Sequence, residues 1–170
     1  LPGMKERLIY VSGFSKAFAM TGWRLGYVCA PPEIDDAMFK IHQYAMLCAP
    51  ITSQYAGIEA LTDGFADGFS AVEEMRDAYD KRRRFVLSSL SEIGLSCFEP
   101  KGAFYAFPCI ASTGMTSDEF CETLLKERRV ALVPGTAFGQ GGEGFVRASY
   151  CYSTEHILEA LSRIRAFLDD

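Results

Sequence analysis

Residues 12–27 constrain this chain more than any other stretch. They read Ser-Gly-Phe-Ser-Lys-Ala-Phe-Ala-Met-Thr-Gly-Trp-Arg-Leu-Gly-Tyr, which sets two cations, Lys16 and Arg24, among small, aromatic and apolar residues. The apolar run Leu8, Ile9, Tyr10 and Val11 leads in, and Leu25, Gly26, Tyr27, Val28, Cys29 and Ala30 lead out. Such runs predict short buried strands over 7–12 and 25–30, with the cationic loop between them. In that setting Lys16 is expected to be at least partly buried. Burial penalises an ammonium and favours the neutral amine, the form that attacks a carbonyl. Arg24, framed by Gly22 and Gly26, can offer a flat fork of donors to a phosphate. No acid lies between Arg7 and Glu33, so a local carboxylate partner is missing. A buried charge without one is costly, and an anionic ligand would supply the need.

Ser15-Lys16 followed by Met20-Thr21-Gly22-Trp23-Arg24-Leu25-Gly26-Tyr27 resembles the lysine signature of the class I/II aminotransferases, which belong to the fold-type I pyridoxal 5'-phosphate enzymes. The resemblance implies that Lys16 is the catalytic lysine and holds the cofactor as a Schiff base. It implies that Arg24 binds the cofactor phosphate and that Ser15 adds a hydroxyl. One position departs from the pattern. Many relatives carry a phosphate-binding serine three residues before the lysine, and here that residue is Gly13. The implied reaction moves an amino group between an amino acid and a 2-oxo acid. A carbon–sulfur β-lyase of the same fold would share these residues, and a non-catalytic interaction domain is a third reading.

A second arginine stands in the run Phe145-Val146-Arg147-Ala148-Ser149-Tyr150. Strand alternation puts Phe145, Arg147 and Ser149 on one face, and Val146, Ala148 and Tyr150 on the other. A lone cation there calls for an anion: either Glu143 or a ligand. The run resembles the family segment whose arginine grips the substrate α-carboxylate, and a planar fork suits that task better than a lysine. The loop 134–139 also resembles the family, where it lies close to the mouth of the active site. The glycine-rich 139–144 precedes a strand rather than opening a helix, which excludes a nucleotide-binding motif. His42 and His156 fall in predicted helices and read as structural or exposed.

The remaining pattern fills in an α/β chain. Ile34, Met38, Ile41 and Ala45 predict one inward face of a helix whose first turn carries Glu33, Asp35 and Asp36. A second helix is expected over 52–62, capped by Thr52 or Ser53, with Ile58 and Leu61 inward, and Gly64 and Gly68 then interrupt the chain. A long helix over roughly 69–92 carries the stripe Phe69, Val72, Met75, Tyr79, Val86, Leu90 and Ile93, and Gly94 closes it. Its basic run 81–84 is expected to pair with Glu73, Glu74, Asp77 and Asp80 on a solvated face. Strands are expected over 103–107, 130–133 (stopped by Pro134) and 144–150. Thr116-Ser117-Asp118-Glu119 is a capping box, and Ser153 or Thr154 opens the last helix.

In the family this organisation implies that residues 1–68 end the cofactor-binding large domain, with its mainly parallel sheet. Residues 69–170 would then be a bridging helix and an α+β small domain. A full enzyme of the class is more than twice as long, so the chain resembles the C-terminal part alone and is expected to be inactive by itself. Other cofactor-contacting residues of the family precede the signature lysine and have no counterpart here. The resemblance also implies a homodimer. A net charge of -5 argues against a nucleic-acid partner, no run is long enough for a membrane helix, and six scattered cysteines without metal spacing suit a reducing cytoplasm.

Overall fold

The computed structural model describes residues 2–169. They form five strands and five α-helices in two compact units, Leu1–Glu74 and Met75–Asp170.

In the first unit β1 (Tyr10–Gly13) pairs antiparallel with β2 (Gly26–Cys29). The sequence leads to the expectation of a mainly parallel sheet, and every strand pair among the described residues is instead antiparallel. The reason is local. Residues 14–25 fold back as a closed loop, with the Phe14 N–H donating to the Leu25 carbonyl at 3.2 Å. A parallel pair would need a crossover. Gly13 faces Gly26 in the register, and a Cβ on Gly13 would stand 3.2 Å from the Leu25 carbonyl oxygen. A side chain at this position would need the Leu25 carbonyl to give by a few tenths of an ångström.

Helix α1 (Pro32–Ala45) and helix α2 (Ile51–Asp67) follow. The predicted inward face of α1 is not buried: no residue of α1 is, and Ile41 is 71% exposed. Ile58 and Leu61 of α2 are likewise exposed. Periodicity marks a face as apolar, but burial also needs a covering surface. The expected cap at Thr52 or Ser53 is also displaced. Pro50 holds the N-cap position, and Ser53, 3% exposed, donates its hydroxyl to the Trp23 carbonyl at 2.6 Å. Gly68 ends α2 in the left-handed region, whereas Gly64 lies inside the helix. A Cβ on Gly64 would come within 2.3 Å of the Phe69 ring, so the glycine makes a seat for that ring.

The second unit holds the denser core. Helix α3 (Ser70–Glu92) buries Val86 and Leu90, with Tyr79 and Ile93 packed against the same cluster. Each fully buried aliphatic side chain contributes about 1.5–3 kcal/mol. Beyond it the basic run is less solvated than expected, since Arg82 and Arg83 are half-buried; Asp80 pairs with Arg83 at 2.7 Å and with Arg84, Arg83 also reaches Glu99 at 2.5 Å, and Asp77 pairs with Arg76 outside the run. Strands β3 (Tyr105–Ala106), β4 (Val133–Pro134) and β5 (Val146–Ser149) form a sheet in the order β3-β5-β4. Pro134 belongs to β4 instead of stopping it. Edge strands tolerate proline, because an outward position needs no N–H. Helix α4 (Ser117–Arg128) starts from the predicted capping box, and helix α5 (Thr154–Leu168) starts from Ser153. Tyr150, 2% exposed, satisfies its hydroxyl on the Ala103 carbonyl at 3.1 Å. Among the described residues no helix is long and apolar enough to cross a membrane.

Candidate functional site

The loop 14–25 gathers three of the four predicted site residues. Its inner side is fixed by Phe14 and Met20, 5% and 7% exposed. Phe14 meets the Phe18 and Tyr27 rings at 5.1 and 5.8 Å. Helix α2 braces the loop through the Ser53 hydroxyl and through Gly57, where an added Cβ would stand 2.5 Å from Leu25 Cδ2. Neither Ser53 nor Gly57 is marked by a motif. Their spacing of four on one helix face is the signal that could have singled them out.

On this base Ser15 is half-buried, and Lys16 and Arg24 are exposed. The burial expected for Lys16 is therefore absent, and so is the apolar enclosure expected for Arg24. Phe14 and Met20 turn inward to make the loop's own small core, whereas Trp23 and Tyr27 stay exposed, and the cations lie outside that core. Arg24 adopts a left-handed backbone, with φ of 53°, at the end of the 3-10 turn over residues 21–23, and its Nη1 donates to the Thr21 carbonyl at 3.1 Å. Among the described residues no carboxylate pairs with it. A primary amine, a hydroxyl and a guanidinium on one exposed loop form a donor set that fits an aldehyde and a phosphate.

Arg147 belongs to the second unit. On β5 the predicted alternation holds: Val146 and Tyr150 are buried, and Arg147 is half-buried on the other face. Its guanidinium carbon lies 4.5 Å from the centre of the Tyr105 ring and 4.7 Å from that of Phe138. Glu143, the alternative partner, is committed elsewhere. Its carboxylate accepts from the Ser117 N–H at 2.8 Å and the Gly144 N–H at 3.1 Å. The first of these places it at the positive end of α4. Among the described residues no carboxylate pairs with Arg147. The sequence reading named Glu143 as a possible partner but missed Tyr105, Phe138 and Ser117 as neighbours that shape this face, since each acts through tertiary contact. His42 and His156 are exposed, and the Ser153 hydroxyl lies 3.2 Å from His156 Nδ1.

Residues 2–164 match the family model for aminotransferase class I and II. The chain belongs to that family. Over 99% of its length this aminotransferase chain is 56% identical to a putative aminotransferase, YugH, of Bacillus subtilis, and 52% identical to an aspartate aminotransferase of Pyrococcus abyssi. It covers 42% and 43% of those proteins. It superposes on the crystal structure of an aromatic aminotransferase from Pyrococcus horikoshii with a TM-score of 0.93 at 52% identity, covering 99% of this chain and 44% of that one. The aminotransferase chain thus spans less than half the length of these relatives, and its α/β content fits the fold of its neighbours.

Proposed function

We infer that these residues are the C-terminal part of a pyridoxal-phosphate enzyme that transfers an amino group between an amino acid and a 2-oxo acid. In this reading residues 1–68 close the large cofactor domain, and residues 69–170 are the bridging helix and the small domain. The observation that carries it is the loop 14–25, where Ser15, Lys16 and Arg24 stand on an anchored base in a chain similar to proteins named as aminotransferases.

When bound, the cofactor supplies an electron sink for the substrate α-carbon. The residues supply the rest. Lys16 Nζ would hold the aldehyde end and could carry the proton at the α-carbon. Arg24 and Ser15 would hold the phosphate, with charge-assisted donors from the guanidinium. Arg147 orients the substrate through its α-carboxylate. Because Lys16 is exposed here, exclusion of water from its amine falls to residues beyond these 170. The isolated chain is therefore expected to turn over little or not at all. The same reading takes the parent as a homodimer in a reducing compartment, in keeping with its free thiols.

The test is borohydride reduction of the chain after incubation with pyridoxal phosphate, followed by peptide mass mapping. The adduct is expected on Lys16 and absent from Lys16→Ala. Labelling confined to other lysines would overturn the assignment. In the full-length protein, a new amino acid as product marks the transaminase, whereas pyruvate and ammonia from a cysteine-type substrate mark the lyase. Sustained transamination by the 170-residue chain would overturn its dependence on missing residues.

A further inference from the structure

Arg147 has a long, flexible side chain and, among the described residues, no carboxylate to orient it, yet two aromatic rings flank its guanidinium. Tyr105 pairs with Ser149 in the β3–β5 register, so it lies diagonal to Arg147 on the same face. Phe138 reaches the guanidinium from the loop after β4, and that loop is itself fixed. The Gly135 N–H donates to the Phe145 carbonyl at 2.8 Å, and the Thr136 hydroxyl donates to Asp118 Oδ2 at 3.0 Å. The Phe138 ring packs edge-on to Phe107 at 6.0 Å, and Phe107 stacks on Phe145 at 5.5 Å. The ring nearest the cation on the loop side is thus the end of an aromatic row.

A ring attracts a guanidinium through its quadrupole and does not occupy the N–H donors as a carboxylate would. It can therefore orient the group and still leave the fork available to a ligand. An arginine paired with Glu143 would be equally ordered, but a carboxylate would have to displace that partner. Here the rival is removed, because Glu143 is held by the Ser117 and Gly144 N–H groups.

We propose that Phe138 is a positioning residue: with Tyr105 it orders the Arg147 guanidinium before substrate arrives, leaving the donor fork free for a carboxylate. This rests on the reading of Arg147 as the carboxylate anchor. Binding to a disordered arginine must also freeze its rotamers, and the rings make that ordering part of the folded protein. Phe138 is 52% exposed, so its replacement probes the ring without opening the core.

The experiment has two arms. In the 170-residue chain, the Arg147 Nε–Hε resonance, assigned by its loss in Arg147→Lys, is expected to be shifted by the ring currents. Phe138→Leu should move it toward the position of solvent-exposed arginines, and Phe138→Tyr should keep it. In the full-length enzyme, with L-aspartate and 2-oxoglutarate as probes, Phe138→Leu should raise both KM values about two- to fivefold, with a smaller change in kcat. Phe138→Tyr should restore them. A resonance or KM values unmoved in Phe138→Leu would overturn the proposal. KM values unmoved in Arg147→Lys would instead overturn the carboxylate reading on which it stands, and the resonance arm separates the two failures.

Discussion

Gly135→Ala tests whether the loop beside Arg147 is clamped by backbone contact. Gly135 is buried, and a Cβ there would stand 2.0 Å from the Gly142 carbonyl oxygen and 2.7 Å from that of Phe145. Real Cβ atoms essentially never come within 3.0 Å, so one backbone must retreat by 1.0 Å or more. Neither colliding atom is a flexible side-chain end that could swing away. Overpacking of this kind costs about 1–3 kcal/mol. Retreat also stretches the 2.8 Å bond from the Gly135 N–H to the Phe145 carbonyl, which is worth about 0.5–1.5 kcal/mol. Alanine recovers about 0.4–1 kcal/mol by restricting the unfolded chain. The net expectation is a loss centred on about 2 kcal/mol. With a urea slope of about 2 kcal/mol per molar, the midpoint followed by far-UV circular dichroism should fall by about 1 M. Gly141→Ala is the control: its Cβ meets nothing within 4 Å, and its midpoint should stay close to that of the parent chain. Equal midpoints for the two variants would refute the clamp.

Two further outcomes follow from charge and burial. The Thr116 N–H and hydroxyl hold the Glu119 carboxyl below the usual carboxylate range, the backbone donor contributing most. A depressed folded-state value means that the stabilisation is present above the unfolded value and is lost as pH falls through the folded one. Glu119→Gln keeps the capping geometry without the titration, so its acid unfolding profile should be flatter than the parent's between about pH 5 and 3. Identical profiles would remove the capping box from the acid response. Burial, with a smaller push from Asp118, raises the Cys121 thiol to about 11, while Cys29, Cys48 and Cys151 are exposed. At pH 8 a disulfide reagent should therefore modify those three well before Cys121, as read by peptide mass mapping, because the thiolate is the attacking form. Prompt labelling of Cys121 would contradict the packing of α4.

What was legible in the sequence divides by the range of the interaction that decides it. The capping box at Thr116 and Glu119, the Ser153 cap and the inward side of β5 are settled within a few residues, and each stands where the pattern puts it. The stripe Ile34, Met38, Ile41 and Ala45 is equally plain as a pattern, yet no residue of α1 is buried. Helical period records which face is apolar, and only another surface makes it a core. Lys16 fails as a buried residue for a related reason. The apolar residues around it in sequence, Phe14 and Met20 above all, fold beneath the loop and not over its amine. Arg147 shows the opposite case. Its face was readable from alternation, but nothing local says that Glu143 would be captured by the start of α4, or that a loop phenylalanine would take the place beside the cation. The motif therefore names the groups that act, while Ser53, Gly57, Ser117 and Phe138, which fix where those groups stand, emerge only once the chain has closed on itself.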